Sequence, residues 1–231
     1  MKEIKIKREK TLFEKALIIC NGEPPPDHLL FKLWEDTDFR VAADGGANRL
    51  ISLDLIPDAV VGDFDSLSHE AKNQLPDSIL FHIKEQETND ADKAVRHCLS
   101  KGFSEINLVG ADGRRQDQFL SSLEILFKYS SKARIILWTP LERMEFVWKE
   151  WEENLPLGTT ISLLPIFGGA ESIITKGLKF KINNSALVPG KPPSGVSNLV
   201  ESNPVSITLK NGQLLLVVQL SINFSTKNFS N

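Results

Sequence analysis

Two stretches decide the fold: FRVAADGGANRL (residues 39–50) and AVVGDFDSL (59–67). Each opens with a short apolar run and then breaks into aspartate and glycine. A continuous apolar run bounded by turn residues reads as a strand buried on both faces, the kind a parallel sheet uses. Outward from this pair the same punctuation recurs. ALIIC (16–20) runs into Asn21-Gly22, SILFHI (78–83) leads to QETND, EINLV (105–109) leads to GADGRRQDQ, and ARIILW (133–138) closes the series. Between them lie helical patterns. In 90–101, Ala91, Ala94, Val95, Cys98 and Leu99 share one face, with Gly102 as a stop; in 116–128, Phe119, Leu120, Leu123, Leu126 and Phe127 do the same. Alternation of this kind predicts βαβ units.

From about residue 141 the texture changes. TTISLLPIF (159–167), ESIITK (171–176), LKFKI (178–182), PVSITLK (204–210) and QLLLVV (213–218) are separated by Gly, Pro and Asn, with no helical period. Gly168-Gly169 and Asn211-Gly212 are hairpin signals. The expectation is an α/β domain over 1–135 followed by an all-β sandwich over 136–231.

Composition narrows the class. The 231 residues suffice for a core without staples, and Cys20 and Cys98 cannot make a disulfide framework. Cys20 sits in an apolar run and reads as a small buried hydrophobe. A net charge of −3 offers no basic surface for nucleic acid or membrane. The charged start MKEIKIKREK is followed by only five apolar residues, Ala16 to Cys20, too few for a leader or a membrane span. The N-x-S sequons at Asn183, Asn223 and Asn228 therefore count for little, and a cytoplasmic enzyme is expected, with no nucleic-acid or membrane partner.

The chemistry gathers where strands end. In an open α/β sheet the carboxyl ends of parallel strands share one edge, and ligands bind there. Asp63 and Asp65 stand two apart, so in extended chain both point the same way and can reach one ion. Asp44 and Asp90 take comparable positions after other strands. Carboxylates crowded this way repel unless a cation sits between them. An oxygen-only set favours magnesium over zinc, and His28, His69, His82 and His97 show no metal spacing. A single strand-end aspartate commonly does no more than cap a helix or close an Asx-turn, and Asp90 also suits the first turn of a helix through the helix dipole. Four such residues beside glycines make a cation site the stronger reading. Arg114 and Arg115, at a glycine-rich turn before a helix, suit a phosphate, or Arg115 pairs with Asp117 on the surface. Lys93 either reaches a phosphate or makes a solvated helical pair. P-loop, dinucleotide and nucleophile-elbow signatures are missing.

Taken in order, ADGGANRL (43–50), VVGDFDSL (60–67), the segment Gln86 to Lys93 and GRRQDQ (113–118) resemble the motifs of thiamine pyrophosphokinase. SLLP (162–165), GLKF (177–180) and Ser197-Asn198 resemble that family's C-terminal pattern, so the likeness runs from about residue 17 to 218. The resemblance implies a Rossmann-like α/β N-terminal domain, a β-sandwich for thiamine binding and dimerisation, and a homodimer with its active site between subunits. It implies transfer of pyrophosphate from ATP to the thiamine hydroxyl, giving AMP and thiamine diphosphate, with Mg2+. By motif, Asp44, Asp63, Asp65 and Asp90 match the acidic magnesium cluster, with Asp63, Asp65 and Asp90 as catalytic candidates. Asn21, Gly22, Asn48, Arg115, Asp117 and Gln118 fall on the ATP side. Gln86, Asn89, Phe180, Ser197 and Asn198 fall on the thiamine side. The chain departs from the family's usual Asp, Thr and Trp at Glu87, Asn89 and Phe180.

Asp90 is the candidate to orient or deprotonate the hydroxyl. Phe180 either stacks on the cationic thiamine or is a core aromatic. Two other classes compete. Asp63-x-Asp65 also suits a metal-dependent phosphatase or sugar transferase, although a phosphatase motif usually follows the first strand. A non-catalytic nucleotide- or thiamine-binding module would bind without releasing AMP.

Overall fold

The computed structural model describes residues 15–113 and 115–220. The charged start, Arg114, the sequons at Asn223 and Asn228 and the polar tail lie outside the described residues. Six strands come first: β1 (Lys15–Ile19), β2 (Phe39–Ala43), β3 (Ala59–Gly62), β4 (Leu80–His82), β5 (Glu105–Val109) and β6 (Arg134–Trp138). Between them run α1 (Asp27–Glu35), α2 (Gly46–Ile51), α3 (His69–Gln74), α4 (Asp90–Ser100) and α5 (Gln116–Tyr129). The described remainder is strand and loop: β7 (Glu142–Val147), β8 (Glu150–Glu153), β9 (Thr160–Leu164), β10 (Ala170–Lys176), β11 (Asn183–Leu187), β12 (Asn198–Leu199), β13 (Val205–Thr208), β14 (Asn211–Gly212) and β15 (Leu214–Gln219).

A ten-stranded mixed sheet runs in the order β12-β9-β15-β7-β6-β5-β1-β2-β3-β4. From β6 to β4 its neighbours are parallel; from β6 to β12 they are antiparallel. A second, antiparallel sheet has the order β11-β10-β13-β8, with β14 added on β10. Residues 135 and 136 lie inside β6, so the large sheet continues across the boundary expected from sequence.

Both faces of the inner parallel strands are covered, which is why their sequence shows no alternation. Leu17 and Ile19 of β1 pack with Leu30, Leu33, Leu50 and Ala71 of α1–α3. Ala16 and Ile18, one residue out of phase, pack with Ala94, Val95, Leu123 and Leu126 of α4 and α5. Burying a Leu or Ile side chain of this kind contributes about 1.5–3 kcal/mol. In β15 the same two-residue period serves two cores. Leu214, Leu216 and Val218 face Ile173, Val205 and Ile207 of the second sheet. Leu215 and Val217 join the core under α5 with Met144 and Phe146. This sheet-on-sheet layer is the expected sandwich, and it borrows one of its sheets from the α/β half.

Three local expectations fail. LKFKI is no strand: Leu178 makes one bridge, to Val200, and Phe180 is held by a side chain. Nor do Gly168-Gly169 and Asn211-Gly212 close hairpins, since β9 and β15 belong to the large sheet and β10 and β13 to the small one. Gly168 (φ +131) and Gly212 (φ +84) supply the left-handed backbone of a crossing between sheets, which asks for the same residue type as a hairpin turn. Strands β7 and β8 escape a hydrophobic scan because ERMEFV and EWEE carry their charges inward or to the rim. Glu145 takes Arg134 Nε at 2.7 Å, and Arg143 pairs with Glu153 at 2.7 Å. Among the described residues no helix is long and apolar enough to cross a membrane.

Candidate active site

Strand order reverses between β1 and β5: the chain leaves β1 toward β2, β3 and β4, and β5 and β6 are laid down on the other side. Loops leaving the two strands diverge there and open a crevice at their carboxyl ends. A cleft of about 340 Å³ occupies it, lined by Cys20, Asn21, Gly22, Asp44, Gly45, Asn89, Asp90, Gly110, Asp112, Arg115 and Gln118. A larger groove, about 1070 Å³, lies between α1 and β8 over β5 and β6, but none of the strand-end aspartates lines it. The smaller cleft is the one that Asp44 and Asp90 line.

Its acidic wall depends on close packing. A Cβ on Gly62, at the end of β3, would sit 2.7 Å from Asp44 Cβ and 3.2 Å from Asp90 Oδ1. Only glycine lets these carboxylates converge over the strand end. Asp44 (φ +43) and Phe64 (φ +68) hold left-handed conformations that side chains rarely adopt, and such strain collects at functional sites. Asn48 pins the loop that follows Phe64: its Nδ2 donates to the Ser66 carbonyl at 2.8 Å, and its Oδ1 accepts from Ser68 N–H at 2.9 Å.

One carboxylate oxygen from each of Asp44, Asp63 and Asp65 lies within 4.8 Å of the others. Asp44 is buried; its Oδ2 accepts from Ser66 N–H at 3.0 Å, while buried Oδ1 has no partner. Burial, then the neighbouring Asp90 and Asp65, push its pKa up, and the Ser66 bonds only partly oppose this. Asp63 moves the other way, held low chiefly by Gln86, whose Nε2 donates to Oδ2 at 2.7 Å. A buried oxygen without a donor, in an all-oxygen set, fits a hard divalent cation.

Asp90 borders that trio, and its charge helps to raise the pKa of Asp44. Asp90 opens α4 after the N-cap Asn89, whose Oδ1 accepts from Asp92 N–H at 2.9 Å. Its Oδ1 takes Lys93 Nζ at 3.0 Å. Lys93 is 2% exposed, so it is neither a solvated partner nor a lining residue of the cleft. Asn21, Gly22, Arg115 and Gln118 line the cleft, whereas Asn48 and Asp117 do not; Asp117 pairs with Arg115 on the surface. Of the residues expected near thiamine, Gln86 and Asn89 are at the acidic rim. Phe180, Ser197 and Asn198 lie by β12, at the far end of the large sheet. Sequence reading passed over Gly110 and Asp112 as individual contributors, although the GADGRRQDQ turn contained them. Asp112, its pKa raised by burial, has a buried Oδ1 without a partner. Cys20 lines the cleft too, but burial pushes its thiol up to about 12, which removes it as a nucleophile.

Fold and rim together define an α/β protein with an acidic, glycine-lined crevice at the carboxyl ends of its parallel strands. Residues 30–137 match the family model "Thiamin pyrophosphokinase, catalytic domain", and residues 150–214 match "Thiamin pyrophosphokinase, vitamin B1 binding domain". Thiamine pyrophosphokinase 1 of Oryza sativa subsp. japonica is 28% identical, the match covering 84% of this chain and 83% of that one. Among solved structures, thiamin pyrophosphokinase from Geobacillus thermodenitrificans superposes with a TM-score of 0.80 at 22% identity, covering 90% of this chain and 99% of that one. Yeast thiamin pyrophosphokinase gives 0.76 at 20% identity, covering 91% and 87%. The chain belongs to the thiamin pyrophosphokinase family and is a transferase of that family.

Proposed function

We propose that this enzyme moves the terminal pyrophosphate of ATP to the hydroxyl of thiamine, releasing AMP. The observation that carries the proposal is the meeting of Asp44, Asp63 and Asp65 beside a glycine-lined cleft at the sheet's switch point. The strand order β4-β3-β2-β1-β5-β6 supports a Rossmann-like reading of the first half, with nucleotide binding assigned to 1–135. Thiamine binding and dimerisation fall to 136–231.

Asp44, Asp63 and Asp65 would hold Mg2+, which when bound offsets negative charge on the phosphates. The chain's own groups do the rest. Gly22 and Gly110 let the turn after β1 and the loop after β5 pack backbone to backbone at the lining of the cleft, and Arg115 at the mouth supplies a guanidinium to anionic oxygens. The thiamine hydroxyl oxygen bonds to the β-phosphorus as the bond from that phosphorus to the α–β bridging oxygen breaks. The hydroxyl proton passes to Asp90, and AMP leaves with the bridging oxygen. Positioning and charge stabilisation supply most of the rate in such transfers.

The exposed Phe180 stacks on the thiamine cation, worth roughly 0.5–2 kcal/mol. One chain alone does not complete this site. β12 and β3 are eight strand spacings apart in the large sheet, roughly 38 Å at ~4.8 Å each. Phe180, Ser197 and Asn198 of one copy therefore serve the aspartate rim of another, in a homodimer. A cytoplasmic setting supplies both substrates.

The test is product analysis. Purified protein given ATP, Mg2+ and thiamine should yield AMP and thiamine diphosphate in equal amounts. Orthophosphate without thiamine diphosphate, or a trapped acyl-phosphate, would overturn the reading.

A further inference from the structure

We propose that Asp112 selects a ribonucleotide donor, its carboxylate accepting hydrogen bonds from the ribose hydroxyls of ATP. The proposal rests on the pyrophosphate-transfer reading and names the part of the nucleotide that meets one wall of the cleft. Asp112 stands in the loop after β5 and lines the cleft with Gly22, Gly110 and Arg115. Its backbone is fixed: the carbonyl accepts from Glu23 N–H at 2.8 Å, which ties this loop to the turn after β1. Its side-chain Oδ1, by contrast, is buried and meets no donor among the described residues. A buried acceptor without a donor is costly, and at the wall of a cleft a ligand is the natural source of one. The chemistry of the carboxylate decides which ligand group that is. Asp112 lies outside the set of converging carboxylates, Asp44, Asp63 and Asp65, so a shared cation is the poorer fit. Phosphate oxygens are acceptors too, and Glu23, close enough to raise the Asp112 pKa, adds to their repulsion. What remains of ATP are its neutral donors, the 2′- and 3′-hydroxyls and the 6-amino group. The ribose is joined directly to the phosphates, and its adjacent hydroxyls offer two donors to the two oxygens of one carboxylate. An acidic side chain meets a ribose hydroxyl in the same manner in dinucleotide-binding sheets.

The test is discrimination between nucleotides, read as binding so that it does not depend on turnover. Calorimetric Kd values for ATP, 2′-deoxyATP, 3′-deoxyATP and inosine triphosphate, each with Mg2+, separate ribose from base. The parent should bind ATP at least ~10-fold more tightly than one or both deoxy analogues. In Asp112→Ala that preference should shrink to within about twofold, because ATP itself loses affinity. The preference for ATP over inosine triphosphate should stay within about twofold of the parent's. Asp112→Asn keeps the shape of the side chain and one acceptor oxygen, and supplies a second measurement should the alanine variant fail to fold. Without the charge its hydrogen bonds weaken, so its preference for ATP over the deoxy analogues should fall at least ~3-fold below the parent's. A parent indifferent to both hydroxyls, or a preference that survives unchanged in the variants, would overturn the proposal. So would a collapse confined to the inosine triphosphate ratio, which would put Asp112 at the base. Thiamine diphosphate formation by the parent bears on the transfer reading alone, so the two fail separately.

Discussion

The buried Asn198 side chain grips the peptide groups of Phe180 at both ends: its Oδ1 accepts from Phe180 N–H at 2.9 Å, and its Nδ2 donates to the Phe180 carbonyl at 2.6 Å. The amide is 8% exposed and the ring it presents is 61% exposed. A satisfied buried amide thus displays a large aromatic to solvent, which is costly for a monomer and useful for a ligand or partner.

Asn198→Ala strips the Phe180 N–H, the Phe180 carbonyl and the Leu199 N–H of a partner and should cost about 1–3 kcal/mol of stability. It should also raise the thiamine KM, because the ring loses its aim. Phe180→Ala should raise the thiamine KM with little effect on thermal stability, and Phe180→Trp should hold or lower it, since indole is the better cation–π face. Thiamine KM values indifferent to the residue at this position would remove stacking from the mechanism.

Asp63→Asn should lower kcat by ~10² or more while the melting temperature stays close to that of the parent. The amide oxygen can still accept from Gln86, so the loop keeps its hydrogen bond and loses only charge. Steady-state kinetics beside a thermal melt separates the two effects. Undiminished turnover would place Asp63 outside the cation site.

Gly22→Ala tests the cleft floor. A Cβ there would stand 2.3 Å from the Asp112 carbonyl oxygen and 2.4 Å from that of Gly110. The turn after β1 must then move away from the β5 loop. ATP KM should rise by about 10-fold or more, with thiamine KM nearly unchanged. An unaltered ATP KM would show that the nucleotide lies elsewhere.

His97 gives a pH dependence. Its ring lies against Phe39 and Phe81, and its Nε2 is buried without a partner. Burial, and then Lys101, lower its pKa from the ordinary 6.5. The neutral form is favoured on folding, so its contribution is full above about pH 6.5 and is lost as pH falls toward the lowered folded value. Melting temperature should decline on acidification from pH 7 to pH 5, and His97→Phe should lessen that decline. Identical slopes for the two proteins would exclude His97 as its source.

The parallel strands were legible because a strand buried on both faces writes an uninterrupted apolar run. FRVAA and EINLV are β2 and β5 to the residue. The rim was legible because aspartate and glycine follow those runs. What escaped was decided by distant partners. ERMEFV looks polar until Arg134 is folded beside Glu145. LKFKI alternates like a strand, yet Asn198, eighteen residues on, takes the backbone bonds a neighbouring strand would have made. Asp90 and Asp44 look equivalent in sequence. No spacing reveals that the Lys93 side chain turns inward to meet both Asp90 and Asp63.

Mixing two disabled subunits tests most directly whether the catalytic centre is shared between copies. Asp63→Asn spoils the acidic rim, and Asn198→Ala spoils the thiamine edge at the other end of the sheet. Hybrid dimers formed from these two impaired proteins contain one intact centre, so co-refolding them should restore activity at limiting thiamine, approaching about a quarter of the parent's for random pairing and independent sites. Activity in the mixture no greater than the sum of its parts, with hybrid dimers verified by mass, would mean that rim and edge never meet across subunits.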